Sequence, residues 1–175
     1  MGISNLYGDS DYIHKYFSNQ KKGELPMKLE KDLVVIDLKA GSKEEVLEAM
    51  GKLLIGKGIV KEGFIESILQ REKDFPTGLP TEPFGVAIPH TDGEMVNDSK
   101  IAFASLKTPV KFLAMGRNDE RIDVKVVFML ALKTPEDQLE MLQKLVGLFQ
   151  DPQTVMEMAE IKDAEQLNEL LRNKE

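Results

Sequence analysis

The sequence predicts a single α/β domain: a sandwich in which a mixed β-sheet is flanked by helices on both faces. Residues 124–132 (VKVVFMLAL) are apolar almost throughout after Lys125, the signature of a central strand covered on both sides. Segments with helical spacing of apolar residues lie before and after that strand. The length of 175 residues suffices for one domain with a substantial core and leaves little room for a second.

Residues 33–38 (LVVIDL) form a β-prone run. Ser42 opens a helix with Glu45 three positions on, a capping-box spacing, and Val46, Met50 and Leu53 follow at helical intervals. Gly56 and Gly58 end it, because glycine accepts the left-handed conformation of a helix terminus. A second helix is predicted over 61–73, with Phe64, Ile65, Ile68 and Leu69 as its apolar stripe. Pro76, Gly78, Pro80, Pro83 and Gly85 then break regular structure.

Residues 86–88 form a short strand running into Pro89-His90, and 101–106 another with the weak alternation of a partly covered strand. After the central strand, Thr134-Pro135 opens a third helix, with proline at its first position and Asp137 in its first turn. Leu139, Leu142, Leu145, Val146 and Phe149 supply its buried face. Asp151-Pro152 opens a fourth helix and Asp163 a fifth, with Leu167, Leu170 and Leu171 packing inward. Residues 27–175 are read as the domain. Residues 1–26, which hold all three tyrosines (Tyr7, Tyr12, Tyr16), are read as an N-terminal appendage: a native arm, an over-long start upstream of Met27, or an expression-derived remnant.

Composition excludes several functions. Apolar residues make up 42% and charged residues 30%, and no apolar run approaches the roughly 20 residues that span a bilayer. No direct membrane insertion is expected. The N-terminus lacks the pattern of a secretory signal, so a cytoplasmic location is expected. The absence of cysteine removes disulfides, thiolate zinc sites and cysteine nucleophiles. A formal net charge of -7 opposes binding to nucleic acid and suits a basic protein partner.

The chain has two histidines, and His14 lies in the appendage, so His90 is the domain's only imidazole. It follows a short strand and precedes Thr91-Asp92-Gly93, a strand-to-loop exit of the kind where α/β proteins place functional groups. Neutral imidazole is abundant near neutral pH, and its unprotonated nitrogen can attack phosphorus. The product carries up to two negative charges, so donors must lie nearby, and the other ring nitrogen needs a fixing hydrogen bond. Arg71 falls on the inward stripe of the second helix, three positions beyond Ile68, and immediately precedes the Pro/Gly-rich loop. There it either meets an anion or snorkels to water over apolar surface. Gln138 occupies the first turn of the third helix on its core side; its amide either meets the histidine or its phosphate, or caps its own helix. Thr77, Thr91 and Asp92 are further candidates that turn and capping hydrogen bonds explain as well. A zinc site lacks histidines, and neither a Walker loop nor a nucleophile elbow occurs.

Arg71-Glu72, Phe75-Pro76-Thr77-Gly78, Val86-Ala87-Ile88-Pro89-His90 and the helix at Lys133-Thr134-Pro135, in this order and spacing, resemble the enzyme IIA domains of the mannitol, fructose and galactitol class of the bacterial sugar phosphotransferase system. The resemblance runs from about Leu29 to Leu171. It implies a mixed sheet flanked by helices, a phosphorylated histidine at His90, a stabilising arginine at Arg71, and no metal or organic cofactor. The implied reaction takes phosphate from the phosphocarrier HPr and passes it to the cysteine of a IIB component, itself associated with a membrane IIC. Attack through Nε2, with Nδ1 held by a backbone carbonyl, and an apolar docking ring with an acidic rim are implied as well. Many mannitol and fructose members have a second histidine where Gln138 stands. The run Pro135-Glu136-Asp137-Gln138-Leu139, with Phe75-Pro76-Thr77-Gly78, is most similar to the galactitol branch. Two alternatives are a regulatory IIA-like protein of nitrogen-type phosphotransfer signalling and a binding domain without phosphotransfer. No DNA-binding segment accompanies the domain, which disfavours a fused transcription regulator.

Overall fold

Residues 27–174 are described by a computed structural model, in which two long strands form the spine. The elements in chain order are β1 (Val34–Leu38), α1 (Lys43–Gly56), α2 (Phe64–Asp74), β2 (Gly78–Leu79), β3 (Gly85–Ala87), β4 (Lys100–Ala114), β5 (Arg117–Ala131), α3 (Pro135–Phe149), α4 (Pro152–Glu160) and α5 (Ala164–Lys174). Short 3-10 turns occupy Lys31–Leu33 and Gly93–Met95. The appendage, with its tyrosines and His14, lies outside the described residues.

The sheet is mixed. β4 and β5 make an antiparallel hairpin, from the Lys100–Ala131 pair to Ala114–Arg117 at its tip. β1 runs parallel to β4, β3 runs parallel to β5, and β2 is antiparallel to β3. Gly78 of β2 also pairs with Ala114 of β4, so β4, β5, β3 and β2 form a closed circuit. A Cβ at Gly78 would lie 2.6 Å from the carbonyl oxygen of Leu113, an approach only glycine permits.

Alternation along β5 divides the core. Val126, Phe128 and Leu130 face one side with Phe103 of β4, and against them pack Leu142, Leu145 and Phe149 of α3, Val155 of α4 and Leu167 of α5. Val127 and Met129 face the other side, covered by Val46 and Met50 of α1 and by Phe64 and Ile68 of α2. Each large apolar side chain so buried contributes about 1.5–3 kcal/mol relative to exposure. The predicted sandwich with helices on both faces is therefore observed.

Three elements depart from expectation. The strand predicted at 101–106 is covered on both faces rather than partly, and continues to Ala114 past Pro109, across a register shift between Ser105 and Val110. The second helix begins at Phe64 rather than 61, because Val60 pairs with Val96 and the Lys61 N–H donates to the Met95 carbonyl. The Pro/Gly-rich stretch includes the short strand β2, since Gly78 and Leu79 find partners on β3. The expected caps are present: Ser42 accepts from the Glu45 N–H, Thr134 from Asp137 and Asp151 from Gln153.

Candidate functional site

The backbone beyond β3 keeps running beside β5, with the Leu130 N–H donating to the Pro89 carbonyl at 3.0 Å and His90 pairing with Leu130. His90 therefore leaves the end of a buried strand on a fixed backbone. His90 is buried, with 6% of the residue exposed. Nδ1 lies 2.9 Å from the carbonyl oxygen of Ile88. A carbonyl can only accept, so Nδ1 carries the proton and Nε2 the lone pair. Burial pushes the His90 pKa below its usual value, the Ile88 carbonyl opposes that shift, and the charge of Arg71 reinforces it. The ring is thus neutral at neutral pH.

Arg71 sits in the last turn of α2, half-buried, with its guanidinium carbon 4.3 Å from the centre of the Phe75 ring. The planar cation is steadied by the aromatic face, and its field reaches His90. The guanidinium is thus seated on Phe75 with its charge acting on His90. Phe75, at the end of α2, is half exposed.

Glu72, the next residue of α2, turns inward and is almost fully buried. Its carboxylate accepts from the Thr77 N–H at 2.9 Å and from the Thr77 hydroxyl at 2.8 Å. Burial pushes its pKa up to about 7, against the two Thr77 hydrogen bonds and the charge of Lys43. The Thr77 carbonyl in turn accepts from the Ile88 N–H at 3.3 Å.

Thr91 is buried beside His90 and is gripped from two helices. Its hydroxyl meets that of Ser67 in α2 at 2.5 Å, and its carbonyl accepts from Gln138 Nε2 of α3 at 2.9 Å. Gln138 Nε2 also donates to the Leu132 carbonyl at 3.2 Å. Its amide nitrogen thus reaches the carbonyl next to His90 rather than the ring, and the capping reading does not apply, since Thr134 caps α3. Asp92 is exposed and precedes the Gly93–Met95 turn without a side-chain capping bond. Gly93 packs against the start of α3 so closely that a Cβ would lie 1.9 Å from the Lys133 carbonyl oxygen. That contact brings the histidine loop to Gln138.

The structure therefore gathers His90, Arg71, Thr77, Thr91 and Gln138 through a shared loop network, and leaves Asp92 at its edge. Glu72, Ser67 and Phe75 are members of the same network that sequence reasoning did not assign. Glu72 stands one turn beyond Ile68 on the buried face of α2, which is the signal by which the sequence could have singled it out. A neutral imidazole with its lone pair fixed on Nε2, beside a guanidinium, can attack an electrophile and hold an anionic product. Among the described residues no group of His, Asp or Glu side chains could hold a metal ion.

Comparison with known proteins finds relatives of the chain in sequence and in fold. Residues 27–174 match the family described as phosphoenolpyruvate-dependent sugar phosphotransferase system, EIIA 2. The galactitol-specific EIIA component of Escherichia coli K12 is 31% identical over 113 residues, 65% of this chain and 75% of that one. Enzyme IIAMTL, in the complex of enzyme IIAMTL and phosphorylated enzyme IIBMTL of Escherichia coli, shares the fold with a TM-score of 0.70 at 23% identity, over 83% of this chain and 98% of that one. Nitrogen regulatory protein IIA-Ntr of Neisseria meningitidis superposes with a TM-score of 0.68 at 28% identity, over 82% of this chain and 95% of that one.

Proposed function

Because the chain belongs to the EIIA 2 family of the phosphoenolpyruvate-dependent sugar phosphotransferase system, whose EIIA components carry a phosphohistidine in phosphoryl transfer, we propose that His90 is its phosphoryl acceptor. The observation that carries this reading is the Nδ1 contact with the Ile88 carbonyl, which leaves the Nε2 lone pair free on a ring kept neutral by burial.

In the proposed cycle, His90 Nε2 attacks the phosphorus of phospho-HPr. The new N–P bond forms as the bond to the HPr histidine breaks and that nitrogen recovers its electron pair. Arg71 offsets the charge spread over the transferring oxygens. Gln138 acts through the Thr91 carbonyl, which fixes the loop beside the phosphoryl group. A IIB cysteine thiolate then attacks phosphorus and returns the electron pair to Nε2. Residues 27–175 act as the carrier domain in the cytoplasm, the net charge of -7 favours a basic donor, and half-exposed Phe75 belongs to the docking ring. The likeness to a galactitol-specific EIIA component supports the galactitol branch.

Incubation with phosphoenolpyruvate, enzyme I and HPr should add one phosphate to the wild-type chain and none to His90→Gln. Labelling of the variant at the wild-type level would refute the assignment. Passage of the label to a galactitol-type IIB cysteine tests the branch.

A further inference from the structure

Arg71 and Glu72 are consecutive on α2 yet serve different parts of one site. Arg71 lies beside the imidazole, whereas Glu72 is 2% exposed and touches the loop that precedes it. Four hydrogen bonds run from its carboxylate to the ring: Thr77 N–H to Oε1 at 2.9 Å, Thr77 hydroxyl to Oε2 at 2.8 Å, Ile88 N–H to the Thr77 carbonyl at 3.3 Å, and His90 Nδ1 to the Ile88 carbonyl at 2.9 Å.

We propose that Glu72 is a positioning residue for phosphoryl transfer: by fixing Thr77, it holds the Ile88 carbonyl where it keeps the His90 proton on Nδ1 and the lone pair on Nε2. The inference rests on the reading of His90 as phosphoryl acceptor, and its structural half can be measured without any transfer.

Cost supports it. A buried acidic side chain without an ion-pair partner is costly to ionise, and among the described residues Lys43 influences Glu72 without forming an ion pair with it. A loop that needed only a cap could use an exposed Asp or Ser. The Glu72 carboxyl group instead meets both the N–H and the hydroxyl of Thr77, which holds that residue's backbone and side chain together. The Thr77 carbonyl in turn accepts from the Ile88 N–H, and Ile88, anchored there, presents its carbonyl to Nδ1 from the following peptide unit. A single helix thereby places the cation and orients the nucleophile.

The test uses the full chain and the variants Glu72→Gln, Glu72→Ala and Thr77→Val. Nitrogen-15 NMR of the His90 ring, assigned against His90→Gln, reads the tautomer directly. Wild type and Glu72→Gln, which keeps an acceptor for the Thr77 N–H and an amide to meet its hydroxyl, should show the Nδ1–H form. Glu72→Ala should show a mixture and a roughly tenfold lower maximal rate from phospho-HPr, with the half-saturating donor concentration unchanged. Thr77→Val gives the same readout should Glu72→Ala fail to fold. An Nδ1–H tautomer and wild-type rate in a folded Glu72→Ala or Thr77→Val protein would overturn the proposal. Failure of the His90 assignment appears separately, as labelling of His90→Gln.

Discussion

Gln138 Nε2 donates to the Thr91 carbonyl over 2.9 Å and to the Leu132 carbonyl over 3.2 Å, so the first turn of α3 is tied to both sides of the histidine loop. The amide thus acts as a brace between two backbone segments. Gln138→Ala removes both bonds and should cost about 1–3 kcal/mol in urea unfolding, because buried carbonyls lose their donor. Phosphorylation should slow in the same variant, and Gln138→Glu, which can only accept when ionised, should not restore it.

Arg71 bears on His90 through charge. Replacement by Ala removes a positive field that disfavours the imidazolium, so the His90 pKa should rise toward its usual value. NMR titration of the ring measures this. The transfer rate should fall at least about tenfold, and Arg71→Lys should recover little of it, since an ammonium does not reproduce the planar stack on Phe75.

Glu72 makes stability depend on pH with a defined sign. Its native pKa of about 7 exceeds the ordinary 4.5, so between these values the folded chain holds a proton that the unfolded chain has released. Stability should therefore fall as pH rises through that window, by up to about 3 kcal/mol, and level off above about pH 7. The depressed His90 pKa acts with the opposite sign below pH 6.5, within the same range. Subtracting the urea-unfolding curve of Glu72→Gln from that of wild type isolates the Glu72 contribution. A pH-independent difference would contradict the burial argument.

Gly93 has no room for a side chain, because the Lys133 carbonyl oxygen stands 1.9 Å from the position of a Cβ. Gly93→Ala must separate the histidine loop from α3. A loss of at least about 2 kcal/mol in thermal or denaturant unfolding is expected, together with slower phosphorylation, as Thr91 moves off Gln138.

Much of the fold was legible because its signals are local. Ser42, Thr134-Pro135 and Asp151-Pro152 cap the helices they announce, since a cap needs only its own next three residues. The run 124–132 announced a strand with both faces covered, and it lies within and just beyond β5. The far half of the hairpin was not legible: Lys107, Thr108 and Pro109 are exposed, and the charged run Arg117–Asp123 offers no apolar alternation. Those residues are strand because β4 and β5 pair across the Met115-Gly116 turn, with Gly116 at φ 76°.

The sequence by itself determined one imidazole in the domain, its position at a strand exit, and an arginine at the end of the preceding helix, because residue type and helical period fix these without reference to distant partners. Tertiary structure alone decided that Glu72 is buried against Thr77, that Ser67 meets Thr91, and that the Gln138 amide turns to a carbonyl rather than to the ring. Each of these depends on where α2, α3 and the loop come to rest together, and hydrogen-bond partners brought together by packing leave no periodic trace along the chain.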